Sequence, residues 1–216
     1  MKIETPGLQI ALDMIQWEHF SRVVDMIPKN RRIIIEAGTP LLKRFGTDAI
    51  AFIRKSRPYS FILADMKTLD VGQLEVEIAW RAGADGASVS GLAPETTINS
   101  FIQACQEKSI LSFMDTLGVT DPCNRLSSLD MLPDVVLLHR GIDEECNSQH
   151  NFSIIGGIKS MFPDVIVAIA GGLGETAIKE AVRNGADIVV VGRYITTAEN
   201  PETRIGEILN MLEEDP

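Results

Sequence analysis

The chain alternates short apolar segments with amphipathic ones along its length. Eight segments are rich in Ile, Val and Leu and apolar on both faces, which is typical of parallel strands covered by helices. Alternation of this kind restricts the chain to an α/β fold built around a parallel sheet. We predict strands at Leu8–Leu12, Ile33–Glu36, Phe61–Ala64, Gly86–Val89, Ile110–Met114, Val135–Leu138, Val165–Ile169 and Ile188–Val191.

The segments between the strands carry apolar residues at helical spacing. One of them places Leu74, Ile78 and Ala82 on a single apolar stripe. The least regular parts are Pro40–Asp48 and Asp143–Ser153. We predict helices at Trp17–Met26, Val71–Ala82, Pro94–Glu107, Glu175–Asn184 and Pro201–Glu213.

Eight strand–helix units in 216 residues predict one (β/α)8 TIM barrel over residues 1–216. A recurring link supports a repeated unit, since Ala-Gly-Ala-Asp at 82–85 and Asn-Gly-Ala-Asp at 184–187 precede two of the strands. The alternative is an open doubly wound sheet. Its dinucleotide-binding form would need Gly-x-Gly-x-x-Gly after the first strand, which instead runs into Asp13-Met-Ile-Gln16.

Composition indicates an ordinary globular protein and argues against several classes of binding protein. Hydrophobic residues make up 45% and charged residues 23% of the chain, so a sizeable core is possible. The formal net charge of −10 argues against a general binder of nucleic acid or of anionic membranes. Cys105, Cys123 and Cys146 are widely spaced, which predicts neither a disulfide framework nor a zinc site. With no signal segment or apolar run long enough to span a bilayer, we predict a cytoplasmic location.

Charged and polar groups end five of the apolar strands, where the chemistry of such barrels gathers. Several carboxylates in one mouth would repel each other and raise their own pKa values. A divalent cation and an amine would relieve this repulsion, and oxygen ligands suit magnesium better than zinc. The groups are Asp13, Glu36, Asp65 with Lys67, Asp115 and His139.

Each of these signals has a simpler explanation. Asp65 and Lys67, two apart on a strand and therefore on one face, could be a buried ion pair that only fixes a loop. His139 could be a hydrogen-bonded core residue. It is nevertheless the one histidine placed for acid–base work, because His19 lies in a predicted helix and His150 in a polar loop.

The last two strands end in glycine. Strand 7 leads into Gly171 and Gly172, and strand 8 leads into Gly192 and Arg193. Glycine lets backbone amides approach an anion closely, and phosphate sites recur in these two loops of TIM barrels. Arg193 would add a charge-assisted hydrogen bond. The glycines could serve only tight turns, but two such loops side by side predict a phosphate site.

These motifs resemble the orotidine-monophosphate decarboxylase suprafamily, in the branch that contains 3-hexulose-6-phosphate synthase and 3-keto-L-gulonate-6-phosphate decarboxylase. The resemblance covers nearly the whole chain and includes Leu8–Asp13, Glu36–Pro40, Ala64–Asp70, His139–Asp143, Ala170–Gly172 and Val191–Arg193. The Asp-x-Lys-x-x-Asp element at 65–70 is specific to the suprafamily. It implies a barrel of the ribulose-phosphate-binding type.

The resemblance also implies roles for these residues. Glu36 and Asp65 would hold Mg²⁺, and Lys67 would stabilise an enediolate. Asp13 would orient Lys67 and the substrate, and His139 would move a proton. Asp70 would reach the site of a second subunit, which implies a homodimer with shared active sites. The phosphate would lie on Gly171, Gly172, Gly192 and Arg193.

Two positions distinguish the sister activities that the resemblance implies. The decarboxylases carry Glu at the end of strand 5 and Arg three residues after the strand-6 His, whereas this chain has Asp115 and Ile142. Both features indicate the synthase, which joins formaldehyde and D-ribulose 5-phosphate. The alternatives are the decarboxylase and a sugar-phosphate-binding regulator without catalytic activity.

Overall fold

Eight parallel strands close into a barrel in the computed structural model, which describes residues 3–144 and 150–214. Each strand pairs with its neighbours in chain order, and β1 pairs with β8 to complete the circle. The predicted TIM barrel is therefore confirmed. The strands are β1 Gly7–Leu12, β2 Ile33–Ala37, β3 Phe61–Thr68, β4 Gly86–Ser90, β5 Leu111–Asp115, β6 Val135–His139, β7 Ile166–Ala170 and β8 Ile188–Val191.

Helices separate the strands and cover the barrel. They are α1 Trp17–Met26, α2 Thr39–Phe45, α3 Asp48–Ser56, α4 Gly72–Ala82, α5 Glu95–Lys108, α6 Pro122–Ser127, α7 Ser153–Met161, α8 Glu175–Arg183, α9 Arg193–Thr196 and α10 Pro201–Glu214. A 3-10 turn spans Ile142–Glu144. None of the helices in the described ranges is long and apolar enough to cross a membrane. The cytoplasmic location stays a prediction.

The predicted strand bounds agree with the observed ones to within one residue, except at the end of β3. It continues to Thr68, four residues beyond the predicted end. Asp65 and Lys67 therefore lie within the strand rather than after it. The strand continues past an irregularity in its pairing with β4 between Ala64 and Thr68, which a local sequence pattern does not reveal.

Two regions of helix differ from the predictions. Pro40–Asp48, predicted to be irregular, contains most of α2, which begins with a proline in its first turn. In α4 the residues facing the barrel are Gly72, Val76 and Ala79. The predicted apolar stripe instead faces outward, with Leu74 57% and Ile78 38% exposed.

Alternation along the strands divides the core into two layers. One set of strand residues packs outward against the helices, and the other packs inside the barrel, where Phe61, Phe113 and Leu137 are buried together. The inward set continues up each strand at every second position. Glu36 therefore shares the inward face of β2 with Ile34, and Asp115 shares the inward face of β5 with Phe113.

The Asp of the recurring Gly-Ala-Asp link has a structural role at the end of the barrel where the strands begin. Asp85, just before β4, accepts a hydrogen bond from the backbone N–H of Ile62 in β3 at 2.9 Å. Asp187, just before β8, accepts one from Val167 in β7, also at 2.9 Å. Each carboxylate thus ties the beginning of one strand to the preceding strand, at the end of the barrel where residues usually serve stability.

Candidate active site

A cavity of about 730 Å³ opens where the strands end. Because the inward positions of all eight strands converge there, residues far apart in the chain become neighbours. Of the predicted site residues, nine line this cavity: Asp13, Glu36, Asp65, Lys67, His139, Gly171, Gly172, Gly192 and Arg193.

Two predicted site residues do not line the cavity. Asp115, only 1% exposed, lies behind it and contacts Lys67 and His139. Asp70 lies in the exposed loop after β3, where its carboxylate accepts a hydrogen bond from the backbone N–H of Val71. Asp70 therefore contributes nothing to the cavity of its own chain.

Among the described residues that line the cavity, Lys67 carries the one amine, and it connects β3 to β5. Its Nζ lies 2.7 Å from Asp65 Oδ2 and 2.6 Å from Asp115 Oδ2. Burial alone would lower the pKa of Lys67, but the charges of Asp65 and Asp115 outweigh burial and raise the pKa above its ordinary value. Lys67 is therefore held as a cation, which can stabilise a negative charge but cannot take a proton.

The backbone of Lys67 is itself unusual. Its φ of 45° is in the left-handed region, which costs an L-residue about 1–2 kcal/mol. The strain coincides with the irregular pairing of β3 and β4. Surrounding contacts must offset it, as is common where a side chain has a functional position.

Asp115 connects the amine to the histidine. Its carboxylate accepts a hydrogen bond from Lys67 and lies 2.9 Å from His139 Nδ1. Burial opposes the charge of Asp115, but the hydrogen bond and charge of His139, together with Lys67, lower its pKa to about 2. Because an ionised Asp115 only accepts hydrogen bonds, we assign the imidazole proton to Nδ1, which leaves Nε2 able to accept one.

Glu36 and Asp13 form the acidic side of the cavity. Burial and the charges of Asp65 and Asp13 raise the pKa of Glu36 well above its usual range. Burial and then Asp65 also raise the pKa of Asp13, against the opposing effects of Lys67, His139 and Arg193. The mutual repulsion predicted from the sequence is therefore present.

The donor set fits a magnesium ion. Glu36 and Asp65 both present carboxylates to the cavity, and their repulsion is what a divalent cation would relieve. Within residues 3–144 and 150–214, no three His, Cys, Asp or Glu side chains form a metal-binding cluster. Mg²⁺ commonly accepts one or two protein carboxylates and completes its coordination with water and substrate oxygens.

Glycines of the loops after β7 and β8 also line the cavity. Gly171 has a φ of 112°, and a Cβ there would lie 2.2 Å from the carbonyl oxygen of Arg140, so no other residue fits. The carbonyl oxygen of Gly171 accepts a hydrogen bond from Arg140 Nη2 at 2.8 Å and lies 2.6 Å from His150 Nε2. Arg140 thus contacts the glycine loop and does not line the cavity.

The sequence analysis did not identify three polar residues that hydrogen-bond to Glu36 and Asp65. Gln9, fully buried inside β1, donates from Nε2 to Glu36 at 2.7 Å, while its Oε1 has no hydrogen-bond partner within the part of the chain that the structure describes. Thr39 donates to Asp65 Oδ2 at 2.7 Å, and Ser88 donates to Asp65 Oδ1, also at 2.7 Å. A polar residue at an inward position of an apolar strand is the signal that could have identified Gln9 and Ser88.

Known proteins resemble the chain over nearly all of its length. The orotidine 5'-phosphate decarboxylase / HUMPS family matches residues 6–208. A "Bifunctional enzyme Fae/Hps" from Methanothrix thermoacetophila is 44% identical over 209 residues, which are 97% of this chain and 53% of that protein. This chain therefore spans about half the length of such relatives.

Solved structures extend the comparison. The 3-hexulose-6-phosphate synthase from Salmonella typhimurium is 30% identical, with a TM-score of 0.86, over 97% of this chain and 100% of that one. The 3-keto-L-gulonate-6-phosphate decarboxylase from Vibrio cholerae is 22% identical, with a TM-score of 0.79, over 97% and 98% of the two chains. At that identity the second likeness concerns the fold alone.

Proposed function

The chain belongs to the orotidine 5'-phosphate decarboxylase / HUMPS family, and we propose that within it the chain is a 3-hexulose-6-phosphate synthase. It is a carbon–carbon lyase that joins formaldehyde and D-ribulose 5-phosphate into D-arabino-3-hexulose 6-phosphate, or runs the reverse reaction. The single observation that carries the proposal is that Lys67 and His139, which both contact the buried Asp115, line one cavity together with the glycine loops after β7 and β8. The likeness to the Salmonella synthase over the whole chain also supports it.

The reaction begins with binding of the sugar phosphate. Gly171, Gly172 and Gly192 bring backbone amides to the phosphate, and Arg193 adds a charge-assisted hydrogen bond. This places the ketone end of the pentose toward Lys67 and the carboxylates. Glu36 and Asp65 would hold Mg²⁺, which supplies Lewis-acid polarisation of the ketone when bound.

The chemical step is a proton transfer followed by bond formation. His139 Nε2 removes the proton from C1. The electron pair of the broken C1–H bond forms a double bond between C1 and C2, and the π pair of the C2 ketone moves onto its oxygen, which gives an enediolate. Lys67, already cationic, stabilises the negative charge without any reorganisation. The enediolate attacks the carbon of formaldehyde, the C–C bond forms, and His139 returns its proton to the former aldehyde oxygen.

Asp115 has a supporting part in this mechanism. Its carboxylate fixes the Nδ1 proton of His139 and holds the Lys67 amine from the other side. Asp115 brings the two groups to one carboxylate, at the position where the resemblance gives the decarboxylases Glu. This arrangement favours the synthase over the sister decarboxylase, which would form a related enediolate by losing carbon dioxide.

The proposal is tested by assaying both substrates with the same purified chain. We expect formaldehyde consumption that requires both D-ribulose 5-phosphate and Mg²⁺. Low cross-activity is expected because the intermediates are alike, so the kcat/KM ratio decides between the two activities. A higher kcat/KM for carbon dioxide release from 3-keto-L-gulonate 6-phosphate would establish the decarboxylase. Sugar-phosphate binding without turnover of either substrate would establish the regulator.

Arg193→Ala tests the phosphate site. The substitution removes one charge-assisted hydrogen bond to the phosphate, so we expect KM for D-ribulose 5-phosphate to rise by about 10-fold or more. The reacting end of the sugar is distant from the phosphate, so kcat should change much less. Steady-state kinetics measures both. An unchanged KM would place the phosphate elsewhere.

A homodimer with shared sites is part of the proposal. Leu69 and Val71, on either side of Asp70, are 58% and 55% exposed, and Leu74 and Ile78 continue the apolar surface along α4. Exposed apolar patches of this kind mark protein interfaces. A second copy would cover the patch and receive Asp70, which has no place in the cavity of its own chain.

Mixing two inactive variants tests the shared site. A dimer of Lys67→Ala with Asp70→Ala carries one site with both defects and one with neither. We expect each variant alone to be nearly inactive and the mixed dimer to recover up to about half of wild-type activity, since one of two sites is intact. Activity is measured on mixed dimers isolated through two different affinity tags. Verified mixed dimers without recovered activity would contradict the shared site.

A further inference from the structure

Ser88, an inward-facing residue of β4, lies beneath the two central residues of the site. Its side chain is buried, with the residue 1% exposed. The hydroxyl accepts a hydrogen bond from the backbone N–H of Lys67 at 2.9 Å and donates one to Asp65 Oδ1 at 2.7 Å. One hydroxyl therefore uses its donor on the carboxylate and an acceptor lone pair on the backbone of the amine-bearing residue.

The backbone N–H of Lys67 meets the Ser88 hydroxyl where the pairing of two strands is irregular. The pairing of β3 with β4 shifts between Ala64 and Thr68, so the regular ladder is interrupted there. Lys67 has a φ of 45° at this interruption. The Ser88 hydroxyl therefore binds the backbone of Lys67 at the point where that backbone is strained.

The same hydroxyl fixes the neighbouring carboxylate. Asp65 Oδ2 is engaged by Lys67 and Thr39, and Ser88 occupies the other oxygen, Oδ1. Rotation of the Asp65 carboxylate would break its hydrogen bond to Ser88. Ser88 is therefore the one of these groups that hydrogen-bonds both the Asp65 carboxylate and the backbone of Lys67.

We propose that Ser88 is a positioning residue that holds the Lys67 backbone and the Asp65 carboxylate in one fixed relation. It touches neither substrate nor reacting atoms and acts through these two residues. The kinetic part of this inference rests on the proposed synthase activity, whereas the hydrogen bond to Lys67 can be examined without any substrate. Groups that hydrogen-bond to a metal-ligating side chain, as Ser88 does to Asp65, commonly affect activity about 10- to 100-fold.

The chain offers a matched control for the removal of a buried hydroxyl. Ser112 on β5 is fully buried, donates to Asp134 Oδ2 at 2.7 Å and accepts from the backbone N–H of Asp134 at 3.0 Å. Like Ser88, it accepts from a backbone N–H and donates to a carboxylate, but it lies at the end of the barrel where the strands begin, away from the cavity. The variants are Ser88→Ala, Ser88→Thr, which keeps the hydroxyl, and Ser112→Ala. Near-ultraviolet circular dichroism gives the folded fraction of each.

The first measurement is hydrogen exchange of the Lys67 amide, read by NMR on the full-length labelled chain. Loss of the hydroxyl should make this amide exchange about 10-fold faster or more in Ser88→Ala. The Lys67 amide should exchange as in wild type in Ser88→Thr and Ser112→Ala. Wild-type exchange of the Lys67 amide in Ser88→Ala would overturn the proposal.

The second measurement is steady-state kinetics per folded molecule. We expect Ser88→Ala to lower kcat by about 10- to 100-fold, with KM for D-ribulose 5-phosphate changed by less than about threefold, because the glycine loops are untouched. Ser88→Thr should recover most of the loss. An equal fall in Ser112→Ala would overturn the positioning role. A wild-type chain without synthase turnover would contradict the proposed function. The positioning role of Ser88 would then be decided by hydrogen exchange of the Lys67 amide, which needs no substrate.

Discussion

Lys67→Ala should lower kcat by about 1,000-fold, because the substitution removes the only cation between Asp65 and Asp115 among the described residues lining the cavity. An enediolate formed in the variant would face these carboxylates without a compensating charge. Binding of the phosphate should persist, since the glycine loops do not depend on Lys67. Steady-state kinetics and a direct measurement of sugar-phosphate binding test the two expectations together.

A second lysine provides the control. Lys159 Nζ donates to Asp187 at 2.7 Å, so it also forms a lysine–aspartate pair, but at the opposite end of the barrel. Lys159→Ala should leave kcat near the wild-type value per folded molecule. Turnover by Lys67→Ala at a rate close to that of Lys159→Ala would remove Lys67 from the mechanism.

Glu36→Gln should abolish most activity and at the same time raise the melting temperature of the metal-free protein. Glu36 is buried, and its pKa is raised by burial and by Asp65 and Asp13. Ionised Glu36 therefore destabilises the fold above its ordinary pKa, and a neutral amide of the same shape removes this cost. Each 1 kcal/mol recovered should add about 2–4 °C in a chain of this size.

The stabilisation expected of Glu36→Gln should depend on pH. A carboxyl with a raised pKa in the folded state favours folding in its protonated form, so its contribution is present at low pH and lost as the pH rises through that pKa. The melting-temperature difference between Glu36→Gln and wild type should therefore be largest in mildly alkaline buffer. It should shrink on acidification as Glu36 takes up its proton. A chelator must be present, because a bound cation would stabilise the wild type.

Glu77→Gln is the matched control for this prediction. Hydrogen bonds from Lys108 and then Arg81 lower the pKa of Glu77, which is the opposite direction. The control should therefore show no gain in melting temperature. A lower melting temperature for Glu36→Gln than for wild type, with chelator present, would contradict the repulsion between Glu36 and its neighbours.

The architecture and the membership of the cavity were predictable from local patterns. Eight apolar segments separated by helices have few arrangements other than a barrel, and a parallel barrel brings all strand ends together. A charged residue at an inward position near such an end must lie in the shared mouth. For that reason Glu36, Asp65, Lys67 and His139 could be assigned to one cavity without coordinates.

What the sequence determined by itself was the barrel and nine of the residues that line its mouth, because these depend on the alternation of strands and helices and on the residues at the strand ends. The tertiary structure alone decided that β3 continues through a strained Lys67, that Asp115 joins Lys67 to His139, and that Ser88 supports Lys67 from β4. These contacts join residues 21 to 48 positions apart. They depend on register and side-chain rotamers that exist only once the barrel has closed.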